Sequence, residues 1–240
     1  MTPNLTIHHL RRSQSERIIW LCEELSIPYT LKTHLRQPTL EAPDSYRDLH
    51  WTGTAPIIED GPDIKLAETN AIFEYILTKY GNGRLVLPPT HPRYADYVFW
   101  LHRANGTMQP SFVAVMFSRF NKKKQSGKND EGAAADGADG NDPIQRFTQK
   151  RIDRNFAAME EQLGKYPFLA GEEFTAADCV SVFSLTTLRL FVPYGIEKFP
   201  NIVRYLERIG QREGYRRAME KGDPDMEPIL SAAAPAKSLL

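Results

Sequence analysis

Residues 54–60 read Thr-Ala-Pro-Ile-Ile-Glu-Asp, and residues 66–72 read Leu-Ala-Glu-Thr-Asn-Ala-Ile. A proline lacks the N–H that a strand ladder needs, so Pro56 belongs at the start of a strand that continues through Ile57 and Ile58. The intervening Asp-Gly-Pro-Asp at 60–63 is a turn signal, which predicts a hairpin with residues 64–66. Apolar residues then recur with helical spacing, which predicts a helix over 69–80.

The two ends of this stretch suit a small charged ligand. A hydroxyl at a helix N-terminus, here that of Thr69, can hold a carboxylate, and the adjacent Glu68 can hold an ammonium group. If the peptide bond before Pro56 is cis, the backbone groups of Ala55 are exposed and can pair with an extended peptide. Taken singly, Pro56 indicates only a turn and Thr69 only a helix cap. Their order and spacing together favour a site for an amino-acid head group with a peptide bond beyond it.

Working outward, residues 5–10 are typical of a short strand, Ser13 begins a predicted helix that runs to about residue 25, and a second strand follows Ile27. With these elements and the motifs at 55–60 and 68–72, the chain resembles a cytosolic glutathione transferase. The similarity runs from Leu5 to about Gly222 and is greatest to the theta-like branch of bacteria and fungi. It implies an α/β thioredoxin-like N-terminal domain, with the order β-α-β-α-β-β-α, followed by an all-α C-terminal helical domain.

The resemblance implies glutathione as co-substrate, with no metal. Its γ-glutamyl end is assigned to Glu68 and Thr69, and its cysteinyl amide to Ala55 beside Pro56. Two positions depart from the usual pattern of the family. Thr69 replaces a serine and keeps the hydroxyl, whereas Thr54 stands where a lysine or arginine commonly helps to hold the glycine carboxylate.

The catalytic candidates lie at the start of the first helix. A thiolate at neutral pH needs a hydrogen-bond donor or a positive charge, because a free thiol titrates near pH 8.5. Ser13 stands four residues before Arg17, as the catalytic serine does in theta-like members, and is the first candidate. Ser15 and a backbone amide near Arg12 are alternatives, and Arg12 is the candidate added charge. Ser13 and Glu16 also match a capping box, which would give the Ser13 hydroxyl a structural role.

The cysteine-type and tyrosine-type mechanisms of the family are disfavoured. Cys22 lies two turns inside the first helix, away from its start, and no tyrosine stands at the end of the first strand. His8 and His9 alternate in a strand, so they would face opposite ways and a shared metal is not expected. Thr175 and Asp178 form a second capping-box pattern, in which Asp178 is predicted to be a buried structural acid.

The predicted function is a glutathione S-transferase that attacks a hydrophobic electrophile and can also reduce organic peroxides. The second substrate is placed near Trp100, Arg103 and Thr107, where core packing is the competing interpretation. A non-catalytic glutathione-binding or regulatory protein of the same fold is the alternative. A homodimer follows only from the resemblance.

Composition limits the partners and the compartment. The 240 residues contain 30 lysines and arginines and 30 aspartates and glutamates, so no net field favours nucleic acid or an anionic membrane. Cys22 and Cys179 form no CxxC motif, and the sequence has no run long enough to span a membrane. A reducing, cytoplasmic location is expected.

The expected domain boundaries follow the composition. A glutathione-binding domain over 1–84 would be joined by a proline-rich linker at 85–92 to a helical domain over 93–222. A low-complexity, disordered loop is expected at 121–142 and a flexible tail at 223–240. Within the helical domain, single helices are predicted from Tyr94 to about Phe120 (or two divided near Gly106 or Pro110), over 143–163, over 175–190 and over 200–221.

Overall fold

The computed structural model describes residues 3–126 and 143–240. Its first part is a four-stranded sheet in the order β2-β1-β3-β4. The strands are β1 (Leu5–Leu10), β2 (Tyr29–His34), β3 (Ile57–Asp60) and β4 (Ile64–Ala67). The helices of this part are α1 (Glu16–Leu25), α2 (Asp44–Arg47) and α3 (Thr69–Tyr80). The predicted order β-α-β-α-β-β-α is confirmed.

Strand β1 is central because both of its neighbours pair along it. It runs parallel to β2 and antiparallel to β3, which places Ile7 opposite Ile58. Ile7 belongs to the main core with α1 and α3, whereas Leu10 and Ile57 belong to a smaller core around Tyr46. The sheet is therefore covered on both faces. Gly61 makes the hairpin turn with a φ of 69°, a conformation that favours glycine.

The second part is helical. Its elements are α4 (Tyr94–Arg103), a π-helical turn (Ala104–Met108), α5 (Gln109–Ser126), α6 (Pro143–Lys165), α7 (Ala176–Ser181), two 3₁₀ turns (Val182–Leu185 and Thr187–Leu190), α8 (Pro200–Gln211) and α9 (Glu213–Gly222). Helix α9 packs along α1 and so joins the two parts. The predicted division of the first long helix near Gly106 is confirmed as the π-helical turn.

Two predicted helices are shorter than expected. The helix predicted over 175–190 ends at Ser181 and continues as 3₁₀ turns, which Thr186 separates with φ of −124° and ψ of −101°. The helix predicted over 200–221 is interrupted at Arg212, whose backbone is extended. The Arg212 guanidinium binds Glu24 of α1 at 2.8 Å and lies 3.6 Å from the Phe174 ring centroid. Tertiary contacts thus favour a break that the helical pattern does not reveal.

The bounds of the predicted loop and tail also change. Residues 121–126 of the predicted loop belong to α5, and its remaining residues, 127–142, lie outside the described residues. The tail expected to be flexible packs against the helical part. Arg189 donates to the carbonyl oxygens of Ser231 at 2.7 Å and Ala232 at 3.2 Å, and the Leu239 amide donates to the Leu190 carbonyl at 2.7 Å. Because Arg189 is fully buried, these carbonyls supply partners that it would otherwise lack.

Asp178 has the structural role predicted for it. The capping box with Thr175 forms at the start of α7. The carboxylate accepts from the Leu169 amide at 3.0 Å, the Thr175 amide at 2.9 Å and the Tyr205 hydroxyl at 3.0 Å. Burial raises the pKa of Asp178 to about 6 against these hydrogen bonds.

Candidate functional site

Three separate segments meet at the side chain of Gln14. Gln14 lies in the loop between β1 and α1, and its Nε2 donates to the Ala55 carbonyl at 2.8 Å. Its Oε1 accepts from the Thr69 hydroxyl at 3.2 Å. The loop that carries Ser13, the turn before β3 and the first residue of α3 therefore form one site. The motifs at 54–60 and 66–72 are thus adjacent in the structure, and their role in binding a ligand stays a prediction.

The turn before β3 presents backbone groups. The Ala55–Pro56 peptide bond is cis, Ala55 is half-buried and Pro56 is buried. The Ala55 carbonyl accepts a hydrogen bond from an amide N–H, that of Gln14. Thr54 is exposed at the beginning of the turn.

The start of α3 presents a carboxylate and helix N–H groups. Glu68 stands at the N-cap with a φ of 70°, a left-handed conformation uncommon for a residue with a side chain, and its side chain is exposed. Thr69 is buried, and its hydroxyl faces Gln14. The first amides of a helix have no intrahelical acceptor, so this end favours an anion.

The capping box predicted at Ser13 and Glu16 is not formed. Helix α1 begins at Glu16, three residues later than predicted. The Glu16 carboxylate points into the helical part and accepts from the Thr187 hydroxyl at 2.6 Å. Ser13 Oγ instead accepts from the Ser15 amide at 3.2 Å and lies 2.8 Å from Ser15 Oγ. The Ser13 hydroxyl is therefore not occupied in capping the amide of Glu16.

The charged alternatives near Arg12 have other partners. Arg12 has a φ of 53°, and its amide donates to Asp223 at 3.0 Å, so this amide is already used. Its guanidinium donates to Asp225 at 3.3 Å. Cys22 is fully buried, and burial raises the pKa of its thiol, which is unfavourable for a nucleophile.

Several residues of the site were missed by the sequence interpretation. Arg17 is almost fully buried, and its Nη1 donates to Asn105 and Gln109 at 2.8 Å each and to Gln14 at 3.1 Å. Burial lowers the pKa of Arg17 to about 9. The guanidinium thus fixes Gln14 from the helical side. The spacing from Ser13 to Arg17 was the available signal, but nothing in the sequence indicated the partners beside the π-helical turn.

The residues proposed to contact a second substrate differ in burial. Trp100 is 5 % exposed and belongs to the main core. Its position therefore agrees with the alternative interpretation, in which it packs in the core. Arg103 is half-buried and lies 5.1 Å from the Phe99 ring centroid. Thr107 is half-buried in the π-helical turn, and its carbonyl accepts from Ser111 at 2.7 Å. Arg103 and Thr107 remain predictions as substrate contacts.

Within residues 3–126 and 143–240, no cluster of three or more His, Cys, Asp or Glu residues is arranged to hold a metal ion. In the same part of the chain, none of the helices has the length and hydropathy needed to cross a lipid bilayer.

Comparisons with known proteins identify the class that this fold and site define. Residues 7–84 match the model of the glutathione S-transferase N-terminal domain, and residues 112–213 match that of the C-terminal domain. The chain belongs to the glutathione S-transferase family, a family of enzymes, and the predicted fold of a thioredoxin-like domain followed by a helical domain is confirmed.

Three relatives illustrate the similarity. Glutathione S-transferase 3 of Schizosaccharomyces pombe is 28% identical over 245 residues, which cover 95% of this chain and 91% of the relative. The crystal structure of a glutathione S-transferase from Actinobacillus pleuropneumoniae has a TM-score of 0.74 and 30% identity, and covers 91% of this chain and 93% of that one. The glutathione transferase URE2P8 of Phanerochaete chrysosporium, solved with oxidized glutathione, has a TM-score of 0.67 and 17% identity, with 93% and 97% covered.

Proposed function

We propose that this protein binds glutathione across the site centred on Gln14, ionises its thiol and joins glutathione through its sulfur to an electrophilic carbon of a hydrophobic substrate. The observation that carries the proposal is that Gln14 joins the Ser13 loop, the Ala55 carbonyl and Thr69. These are the three positions that a γ-glutamyl tripeptide has to reach at once. Family membership supports the reaction type.

The binding mode follows from the groups present. The γ-glutamyl carboxylate meets the first amides of α3 and the Thr69 hydroxyl, and its ammonium meets the exposed carboxylate of Glu68. The cysteinyl N–H donates to the Ala55 carbonyl, which also accepts an amide N–H from Gln14. Gln14 then has to give up or share this bond. The sulfur comes to the Ser13 hydroxyl, which stabilises the thiolate by donating to it.

The electrophile binds on the side of the helical part, where Arg103 and Thr107 are half-buried. The same thiolate would reduce an organic peroxide by attack on oxygen, which breaks the O–O bond, releases the alcohol and oxidises the sulfur to a sulfenic acid. A second glutathione would then convert the sulfenic acid to the disulfide and water. The boundaries of the two domains at 84 and 93 and a cytoplasmic location are proposals that rest on the composition of the sequence. A homodimer is a proposal that rests on the family resemblance.

Calorimetry of glutathione binding tests the placement. Replacing Glu68 with alanine removes a hydrogen bond to a charged group, so affinity should fall by about 1.5–3 kcal/mol, or roughly 10- to 150-fold. Glu74 is an exposed acid on the same helix, so Glu74→Ala is the matched control and should bind normally. Unchanged affinity in a folded Glu68→Ala variant would contradict the placement.

A conjugation assay with a reactive aryl halide separates the two candidate functions. A transferase forms the conjugate in proportion to enzyme concentration, and the rate should fall in Glu68→Ala together with the affinity for glutathione. Tight glutathione binding with no conjugate or peroxide turnover would instead identify the non-catalytic binding protein.

A further inference from the structure

A buried chain of hydrogen-bonding groups leads from the C-terminal end of α9 to Ser13. Asp223 Oδ2 lies 3.2 Å from His9 Nε2, and His9 Nδ1 lies 2.8 Å from Ser15 Oγ. Ser15 Oγ lies 2.8 Å from Ser13 Oγ. His9 and Ser15 are 0% exposed, Asp223 is 1% and Ser13 is 5%. The chain therefore runs from the interior to the site and ends on the hydroxyl proposed to face the sulfur.

The carboxylate end fixes the tautomer of His9. Although burial alone would raise the pKa of Asp223, hydrogen bonds from His9, Arg11 and the Arg12 amide hold it below its ordinary value. An ionised carboxylate only accepts, so the proton of a neutral His9 sits on Nε2. The lone pair of Nδ1 then faces Ser15. Carboxylate, imidazole and hydroxyl in this order are the parts of a proton-accepting triad.

Gly222 leaves the space beside the His9 ring uncrowded. A Cβ at Gly222 would lie 3.2 Å from His9 Nε2 and 3.1 Å from Ile19 Cδ1. Other charged groups also surround the His9–Asp223 pair. Glu16 and Arg36 interact electrostatically with Asp223, and His34 interacts with His9. Arg11 binds Asp223 directly.

The hydroxyls have one proton each, which determines the direction of the chain. Ser15 Oγ also accepts from the Leu10 amide at 3.2 Å, and the Leu10 carbonyl lies 3.3 Å from it, farther than His9 Nδ1 at 2.8 Å. With His9 neutral, Ser15 donates to the nearer acceptor Nδ1, Ser13 donates to Ser15, and the outward lone pair of Ser13 can only accept. With both ring nitrogens protonated, Nδ1 donates to Ser15 and Ser15 donates to Ser13. Ser13 already accepts from the Ser15 amide at 3.2 Å, so its own proton is then free to point outward.

We propose that His9 receives the proton of the bound glutathione thiol through Ser13 and Ser15, with Asp223 holding the ring in place. The S–H bond breaks as its proton passes to Ser13 Oγ, the Ser13 proton passes to Ser15 Oγ, and the Ser15 proton passes to His9 Nδ1. The products are a thiolate that accepts from Ser13 and an imidazolium beside the Asp223 carboxylate, with no net change of charge. His9 is a positioning residue, because it acts through two hydroxyls, and its role rests on the proposed function.

The pH profile of the bound thiol tests the relay. In His9→Asn, an amide stands close to the position of Nδ1, so it can bond to Ser15 but cannot take up a proton. The bound thiol should then titrate about one pH unit higher, which lowers the thiolate fraction at pH 7 by up to roughly tenfold. KM for glutathione should stay within about twofold, and the rate should recover above pH 9, where the thiol ionises to solvent.

The matched control is His8→Asn. His8 is equally buried on the same strand, but its ring contacts His34 and Glu59 rather than the relay. This variant should keep the wild-type thiol titration. A thiol pKa unchanged in folded His9→Asn, or a loss of rate that is the same at every pH, would overturn the relay.

Proton release on binding gives an independent readout. Calorimetry at pH 7.5 in buffers of different ionisation enthalpy counts the protons released, and thiolate absorbance counts the thiolate formed. Wild type should release clearly fewer protons than the thiolate it forms, because His9 keeps them, whereas His9→Asn should release about one for each thiolate. One proton per thiolate in wild type would refute the relay.

Different results would contradict the proposed function and the proposed relay. If wild type neither binds glutathione nor lowers the pKa of its thiol, the proposed function is wrong. If Ser13→Ala raises the pKa of the bound thiol while His9→Asn and Ser15→Ala leave it unchanged, the transferase site stands and only the relay is wrong.

Discussion

Replacing Asp178 with alanine should destabilise the fold without touching the chemistry. The carboxylate accepts from two buried backbone amides, those of Leu169 and Thr175, and from the Tyr205 hydroxyl. Each buried group left without a partner costs about 1–3 kcal/mol, and water entering the space left by the side chain offsets part of this cost. We therefore expect a loss of about 3–5 kcal/mol from a total that is typically 5–15 kcal/mol.

Urea unfolding followed by circular dichroism measures this loss as a lower midpoint at an unchanged slope. Asp178→Asn is the informative control. Its oxygen can still accept from Leu169 and Tyr205, but its NH₂ group would face the Thr175 amide, so about half of the loss is expected. Where Asp178→Ala is still folded, its glutathione affinity should equal that of wild type. A loss below about 1 kcal/mol, or normal stability with no conjugation, would refute the structural assignment.

Three further predictions concern Glu16, Gln14 and the C-terminal residues. Burial raises the pKa of Glu16 to about 8 from 4.5, so the folded state keeps a proton that the unfolded chain releases. The free energy of unfolding should therefore fall as pH rises from about 5 to 8, by up to about 1.4 kcal/mol per pH unit, and urea titrations should show that Glu16→Gln removes this slope. Gln14→Ala should tighten glutathione about fivefold in calorimetry, because the ligand no longer displaces the bond of Gln14 to Ala55, worth about 1 kcal/mol; weaker binding would show that Gln14 holds the ligand instead. Removal of residues 226–240 should lower the melting temperature by several degrees, since Arg189 would lose its carbonyl partners, and an unchanged melting curve would contradict the packing of the tail.

Local sequence patterns were enough to predict most of the strands and helices. The proline before Ile57, the turn at 60–63 and the helical spacing after Thr69 each follow from short-range chemistry, and the strands and helix form where they predict. The break at Arg212 could not be predicted in the same way, because an arginine in a helical pattern has no reason to stop the helix until Glu24 and Phe174 are placed beside it.

The same difference between short-range patterns and long-range contacts applies to the candidate site. Ala55 and Thr69 could be proposed from the sequence because their motifs have a local meaning, and the structure brings both to Gln14. Glu16, in contrast, misled the interpretation by matching a capping box that the structure does not form. The Asp223 contact joins residues more than 200 positions apart, because it links the C-terminal end of α9 to His9 in β1. The interpretation of residues 223–240 as a flexible tail hid this carboxylate, since its burial depends on packing that has no sequence period.

The central claim is that the site ionises the thiol of glutathione through Ser13. The most direct measurement is the titration of thiolate absorbance with glutathione bound to wild type and to Ser13→Ala. The account predicts a thiol pKa in wild type below the ordinary value of about 8.5, and a rise of one unit or more in Ser13→Ala with nearly unchanged glutathione affinity. A bound thiol that titrates like free glutathione in wild type, or a Ser13→Ala variant that only melts at a lower temperature, would contradict it.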